Sequence, residues 1–177
     1  MTKAIVRRAL ALVKPQFRLD LDHGVHGIAH WSRVWANARS LCLEMDLDPT
    51  VPCWFAFLHD SQRWDEEDDH GHGERAARWI DAIRPQLRLG AADLRHLKRA
   101  CRGHSDGTVK AHPIVQVCWD ADRLDLGRVG VRPSPARLCT EAAKRPEVIE
   151  RAWRQSRKGM TFHFGRELPG GQKLGYN

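Results

Sequence analysis

The 177 residues, 42% hydrophobic and 29% charged, fit one compact domain able to bury a core without disulfides or a structural metal. No apolar run approaches the roughly 18 residues of a membrane helix, and the charged start lacks a secretory core, so the sequence reads as a soluble, cytoplasmic protein. Five cysteines (Cys42, Cys53, Cys101, Cys118 and Cys139), odd in number and with no C-x-x-C pair, argue against a disulfide framework or a zinc ribbon, while the net charge of +7 leaves an anionic partner open.

Ala4 to Phe17 places Ile5, Ala9, Leu12 and Val13 at helical spacing between basic residues, the pattern of a surface helix disturbed at Pro15. From Ile28, the positions Trp31, Val34, Trp35, Ala38, Leu41, Cys42 and Met45 predict a long helix that stops near Asp48 and Pro49. Val51 to Leu58 is a short apolar helix running into His59 and Asp60. Ser61 to His70, crowded with carboxylates, reads as an exposed connection. Helices follow around Ala76 to Ile83, around Leu94 to Cys101, from Pro113 to Leu124 and from Glu147 to Arg157. No segment alternates strictly and no repeat is visible, so the expected fold is an all-α, single-domain helical bundle over residues 1–158. Residues 159–177 read as a Gly-rich basic tail, extended or mobile.

Three places carry residues with metal-binding atoms where the pattern otherwise wants core. His59 and Asp60 end an apolar helix, and alone they are an ordinary helix-ending pair. Asp120 has Val117 three residues before it and Leu124 four after, a spacing that turns its carboxylate inward; a buried carboxylate needs a partner, either an arginine such as Arg123 or Arg99 or a metal ion. His30 borders the stripe of Val34 and Leu41. Together these residues supply nitrogen and oxygen ligands suited to magnesium or divalent transition metals.

The order H…HD…D resembles the HD-domain phosphohydrolases, and the segments "HGIAHWSRVWANA", "FLHDSQR" and "CWDADRLDLGRVG" match the family's contexts over about residues 26–130. The resemblance implies the ligands His30, His59, Asp60 and Asp120. Some branches add two histidines and a second ion; "DDHGHGERAARWI" and "CRGHSDG" resemble those segments, with His72 and His104 as the positions. His23, His26, His70, His96, His112 and His163 read as ordinary histidines. With two ions roughly 3.5 to 4 Å apart, bridged by Asp60, a water can be activated near neutral pH against phosphorus. Forked guanidiniums then suit the phosphate oxygens, with Arg63 first and Arg33 and Arg123 behind it, although Arg63 could equally pair with the acidic run Asp65 to Asp69.

The expected activity is hydrolysis of a phosphoester or phosphoanhydride in a small phosphorylated molecule, a nucleotide in first place, with one or two divalent ions (Mn, Mg, Fe, Zn, Ni or Co). The segment Ser61 to Asp69 lacks the Gly-Lys of the cyclic-dinucleotide branch, which speaks against that substrate. Two rival readings are a di-iron oxygenase of the same fold and a basic nucleic-acid-binding or regulatory module without catalysis. Arg151, Arg154, Arg157 and Lys158 would serve the latter, but a solvated helix face accounts for them too, and Trp31, Trp35, Trp79 and Trp119 sit at core positions rather than free for base stacking.

Overall fold

The computed structural model describes residues 2–164; 165–177, which hold Gly165, Gly170, Gly171 and Gly175 of the expected tail, lie outside the described residues. The helices are α1 (Thr2–Val13), α2 (Ile28–Glu44), α3 (Thr50–Leu58), α4 (His72–Ala82), α5 (Arg84–Leu87), α6 (Ala91–Gly103), α7 (Pro113–Arg123), α8 (Glu141–Lys144) and α9 (Pro146–Arg157), with short 3-10 turns at Lys14–Gln16, Leu126–Val129 and Pro135–Arg137. Among the described residues there is no strand, as the absence of alternation predicts.

The segment TVPCWFAFL forms the axis of the bundle. Every side chain from Val51 to Leu58 is buried. A helix that is apolar all round has no polar face to offer water, so it is enclosed, and α1, α2, α6 and α7 surround it. The others are one-sided. In α2 the inward stripe carries Trp31, Val34, Ala38 and Leu41, and α4 lies against α6 through Ala76, Ala77, Ile80, Leu97 and Cys101.

Helix α2 stops at Glu44, earlier than the pattern suggests, because Asp46 turns left-handed with φ 52°. Aspartate is among the few residues that tolerate that region. Pro113 occupies the first turn of α7, where its missing N–H costs nothing.

Residues 159–164 have no regular structure but are docked on α2. Arg33 Nη1 donates to the Met160 carbonyl at 2.9 Å, the Phe162 N–H donates to Ser32 Oγ at 3.0 Å, and the Phe164 ring meets Trp35 and Phe57. No helix among the described residues is long and apolar enough to cross a membrane.

Candidate metal centre

Five elements deliver side chains to one buried point. The core helix α3 runs out at His59, whose backbone still follows the helix (φ -58°, ψ -43°), and so carries His59 and Asp60 out of the apolar centre. His30 comes from the first turn of α2, His72 opens α4, and His104 caps the end of α6.

The four imidazoles are oriented alike. His30 Nδ1 donates to Asp125 Oδ2 at 2.8 Å, His59 Nδ1 to the Phe55 carbonyl at 3.0 Å, His104 Nδ1 to the Cys101 carbonyl at 2.8 Å, and His72 Nδ1 to the Asp69 carbonyl. A carbonyl or carboxylate only accepts, so each Nδ1 carries the ring proton and each Nε2 keeps its lone pair. Those lone pairs face one another: His30 Nε2 lies 3.1 Å from His59 Nε2, and His72 Nε2 lies 2.8 Å from His104 Nε2.

Asp60 stands between the two pairs. Its Oδ2 lies 3.4 Å from His30 Nε2 and 3.2 Å from His59 Nε2, while its Oδ1 lies 3.2 Å from His72 Nε2 and 3.4 Å from His104 Nε2.

Asp120 is not part of this cluster, which corrects the expectation for the last ligand. Its side chain is buried, as its spacing predicts, but it points to the other side of α7 and holds the start of α8. Oδ1 accepts the Cys139 N–H at 2.6 Å, and Oδ2 accepts the Thr140 N–H at 2.8 Å and hydroxyl at 2.7 Å. Burial raises its pKa in spite of those donors. Neither Arg99 nor Arg123 pairs with it.

Asp122 takes the expected place. Its Oδ1 lies 3.5 Å from His30 Nε2 and 3.7 Å from His59 Nε2, completing a triad, and His59, Asp60 and His104 form a second one. Against the cost of burial, the neighbouring Arg128 guanidinium favours the charged Asp122 carboxylate.

The arginines divide. Arg63 stays at the centre, with Nη1 3.8 Å from Asp60 Oδ1, and is held in place by the Asp65 and Glu67 carbonyls rather than by the acidic side chains. Arg33 does not reach the centre: Nε donates to Asp125 Oδ1 at 2.6 Å and Nη2 to Oδ2 at 3.1 Å, so it acts behind His30. Arg123 lines the adjoining cavity, but its Nη1 and Nη2 hold the Arg137 and Thr108 carbonyls at 3.0 and 2.8 Å.

Sequence reasoning passed over several neighbours. His26, read as ordinary, is buried with Nε2 4.0 Å from Asp60 Oδ2 and Nδ1 2.5 Å from Glu66 Oε2. A glutamate at that distance would by itself favour the imidazolium. Burial outweighs it, and Arg128 and Arg63 add to burial against Asp60, so the ring is driven down to about 3 and donates to Glu66 as the neutral form. Asp125 and Arg128 were also passed over, although both lie in the segment "CWDADRLDLGRVG", and Arg137 lies outside every motif segment.

The donor set fits divalent cations. Imidazole nitrogens and carboxylates are their usual ligands, and two pairs of lone pairs in contact repel unless a cation lies among them. Asp60 Oδ1 and Asp122 Oδ1 are, in addition, buried without a hydrogen-bond partner. Orphaned acceptors at such a point are satisfied by coordination.

No family model matches the chain, and no curated protein matches it. Among solved structures, it is similar to a predicted HD superfamily hydrolase from an uncultured Thermotogales bacterium, with a TM-score of 0.66 and 24% identity over 86% of this chain and 87% of that one. The chain has the fold of the HD superfamily hydrolases.

Proposed function

We propose that the chain is a metal-dependent phosphohydrolase acting on a small phosphorylated molecule. The observation that carries this reading is the position of Asp60, whose two carboxylate oxygens each face one pair of Nε2 lone pairs. One ion would be held by His30, His59, Asp60 and Asp122, a second by Asp60, His72 and His104. Such ions supply Lewis acidity and a nucleophilic water at neutral pH.

The protein's own groups contribute the rest. His30, His59, His72 and His104 are fixed in one tautomer by acceptors on their far nitrogens, so no rotamer search is needed before ligation. Arg63, beside Asp60 and braced by two carbonyls, offers a fixed positive charge to a phosphate oxygen. A cavity of about 380 Å3 opens from Asp60, His72, His104 and Asp122, room for a small substrate.

Metal analysis of protein purified without chelator, followed by a phosphoester panel with manganese, tests the reading. The expected result is divalent metal in the protein and hydrolysis that is lost with chelator and in Asp60→Ala. Bound iron with oxygen uptake and no phosphate release would turn the assignment to an oxygenase, and binding of nucleic acid that survives Asp60→Ala would turn it to a non-catalytic module.

A further inference from the structure

The cavity beside the candidate centre is lined by four guanidiniums, from Arg63, Arg123, Arg128 and Arg137, against two carboxylates, Asp60 and Asp122, both of which the proposed function assigns to metal. Arg63 and Arg123 spend most of their donors on carbonyls. Arg128 and Arg137 do not. The Arg128 side chain is only 10% exposed and its Nε is buried without a partner. Its nearest carboxylate oxygen is Asp122 Oδ1 at 3.9 Å, and its Nη1 reaches the Asp125 carbonyl at a long 3.3 Å. Arg137 is exposed on the opposite rim, with its Nη1 lying over Gly107, and Arg123 anchors its carbonyl. A buried guanidinium whose one neighbouring carboxylate lies 3.9 Å away, and would be shared with a metal ion, gains from an arriving anion.

The remaining lining is as informative. Apart from the two imidazoles of the cluster, no described lining residue is aromatic, and Leu126 supplies the one aliphatic side chain. A nucleobase is ordinarily held by stacking on a ring and by apolar walls, and neither is present here. Ser105 and the arginines offer donors to oxygen instead.

We infer that this cavity takes a compact organic molecule carrying a second phosphate-type group, which Arg128 and Arg137 bind while the first lies at the His–Asp cluster beside Arg63. The inference rests on the proposed hydrolase reading for the position of the first phosphate and narrows its substrate class away from mononucleotides. The second group is a recognition element and does not react.

Calorimetric titration of the full-length protein with methylenebisphosphonate, methylphosphonate and AMP, at a constant free manganese concentration in excess of ligand, tests it. None of the three needs to be turned over. The bisphosphonate is expected to bind roughly tenfold or more tightly than either other probe, and Arg137→Ala and Arg128→Ala each to remove about a factor of ten from it while changing methylphosphonate by less than about threefold, the scale of one charge-assisted contact. Arg137 is exposed, so its variant keeps the test valid should Arg128→Ala fail to fold; Arg128→Lys then serves for the buried position. A bisphosphonate that binds no better than methylphosphonate, or an AMP that binds as tightly, overturns the inference, as does an undiminished affinity in Arg137→Ala. Arginine-dependent bisphosphonate binding without phosphoester hydrolysis would leave the inference standing and sink the hydrolase reading; hydrolysis of simple monoesters with no such preference would do the reverse.

Discussion

Asp125 holds His30 from behind, taking the Nδ1 hydrogen at 2.8 Å with a carboxylate that also binds Arg33 through Nε at 2.6 Å and Nη2 at 3.1 Å. All three residues are buried, so orientation of the ligand and neutralisation of Arg33 depend on one side chain. Asp125→Asn is expected to lower metal affinity by roughly 10- to 100-fold, the usual effect of losing a partner behind a ligand. It should also cost about 3 kcal/mol of stability, since Arg33 is left buried and unpaired. Adding Arg33→Met should recover stability in thermal melts without recovering metal. Parallel recovery of both would show that Asp125 acts on the fold alone.

Asp120 and Asp122, two residues apart, have separate tasks. Asp122→Ala should reduce metal content and cost the metal-free protein less stability than Asp120→Ala, since Arg128 loses a carboxylate at 3.9 Å but no backbone donor loses its acceptor. Asp120→Ala should keep metal binding in whatever protein folds, but lower stability by roughly 3 kcal/mol, because the Cys139 and Thr140 N–H groups and the Thr140 hydroxyl lose a buried acceptor. Metal content and thermal denaturation of the two variants check this, and the opposite pattern would return Asp120 to the centre.

The same pair shows how far the sequence can be read. Apolar spacing around Asp120 correctly marks it as buried, helices α2, α6, α7 and α9 follow the periodicity of their segments, and α3 follows its continuous apolar run. Periodicity reports burial, however, and α7 is buried on two sides. Residues two apart in a helix point roughly 200° away from each other, so Asp120 meets the start of α8 and Asp122 meets His30 and His59. Which side holds the cluster depends on tertiary contacts over some ninety residues of chain, as does Arg33 with Asp125 across 92, while His26 meets Asp60 across 34. His72 and His104 were legible only through the resemblance of "DDHGHGERAARWI" and "CRGHSDG" to the family's segments, and both lie at helix ends that meet.

His26 gives the fold a pH dependence of definite sign. Its folded-state pKa, about 3, lies below the ordinary 6.5, so the neutral ring is the form the fold accepts. Its stabilisation is complete above about pH 6.5 and is lost as pH falls toward 3, because the unfolded chain takes up the proton first. At pH 5 the loss should reach about 2 kcal/mol. Melting temperatures of the wild type and His26→Gln between pH 7 and 5 should therefore converge as the pH drops. A constant gap would contradict the assignment of a neutral, buried His26.

Gly73, the residue after His72, sets the spacing between α4 and α6. A Cβ there would lie 2.4 Å from the Cys101 carbonyl oxygen and 3.2 Å from that of Arg102, both backbone atoms that cannot swing aside. The same Cys101 carbonyl accepts the Nδ1 hydrogen of His104. The absent side chain is thus what lets His72 Nε2 come within 2.8 Å of His104 Nε2. Gly73→Ala should push the helices apart, costing about 1 to 3 kcal/mol for overpacking. It should weaken the ion held by His72 and His104, while the triad of His30, His59 and Asp122 on α2, α3 and α7 stays intact. If two ions bind as proposed, metal titration should then show the second of them lost from the tight range and the first retained. An unchanged second affinity, with an unchanged melting temperature, would show that the approach of α4 to α6 does not control the second position.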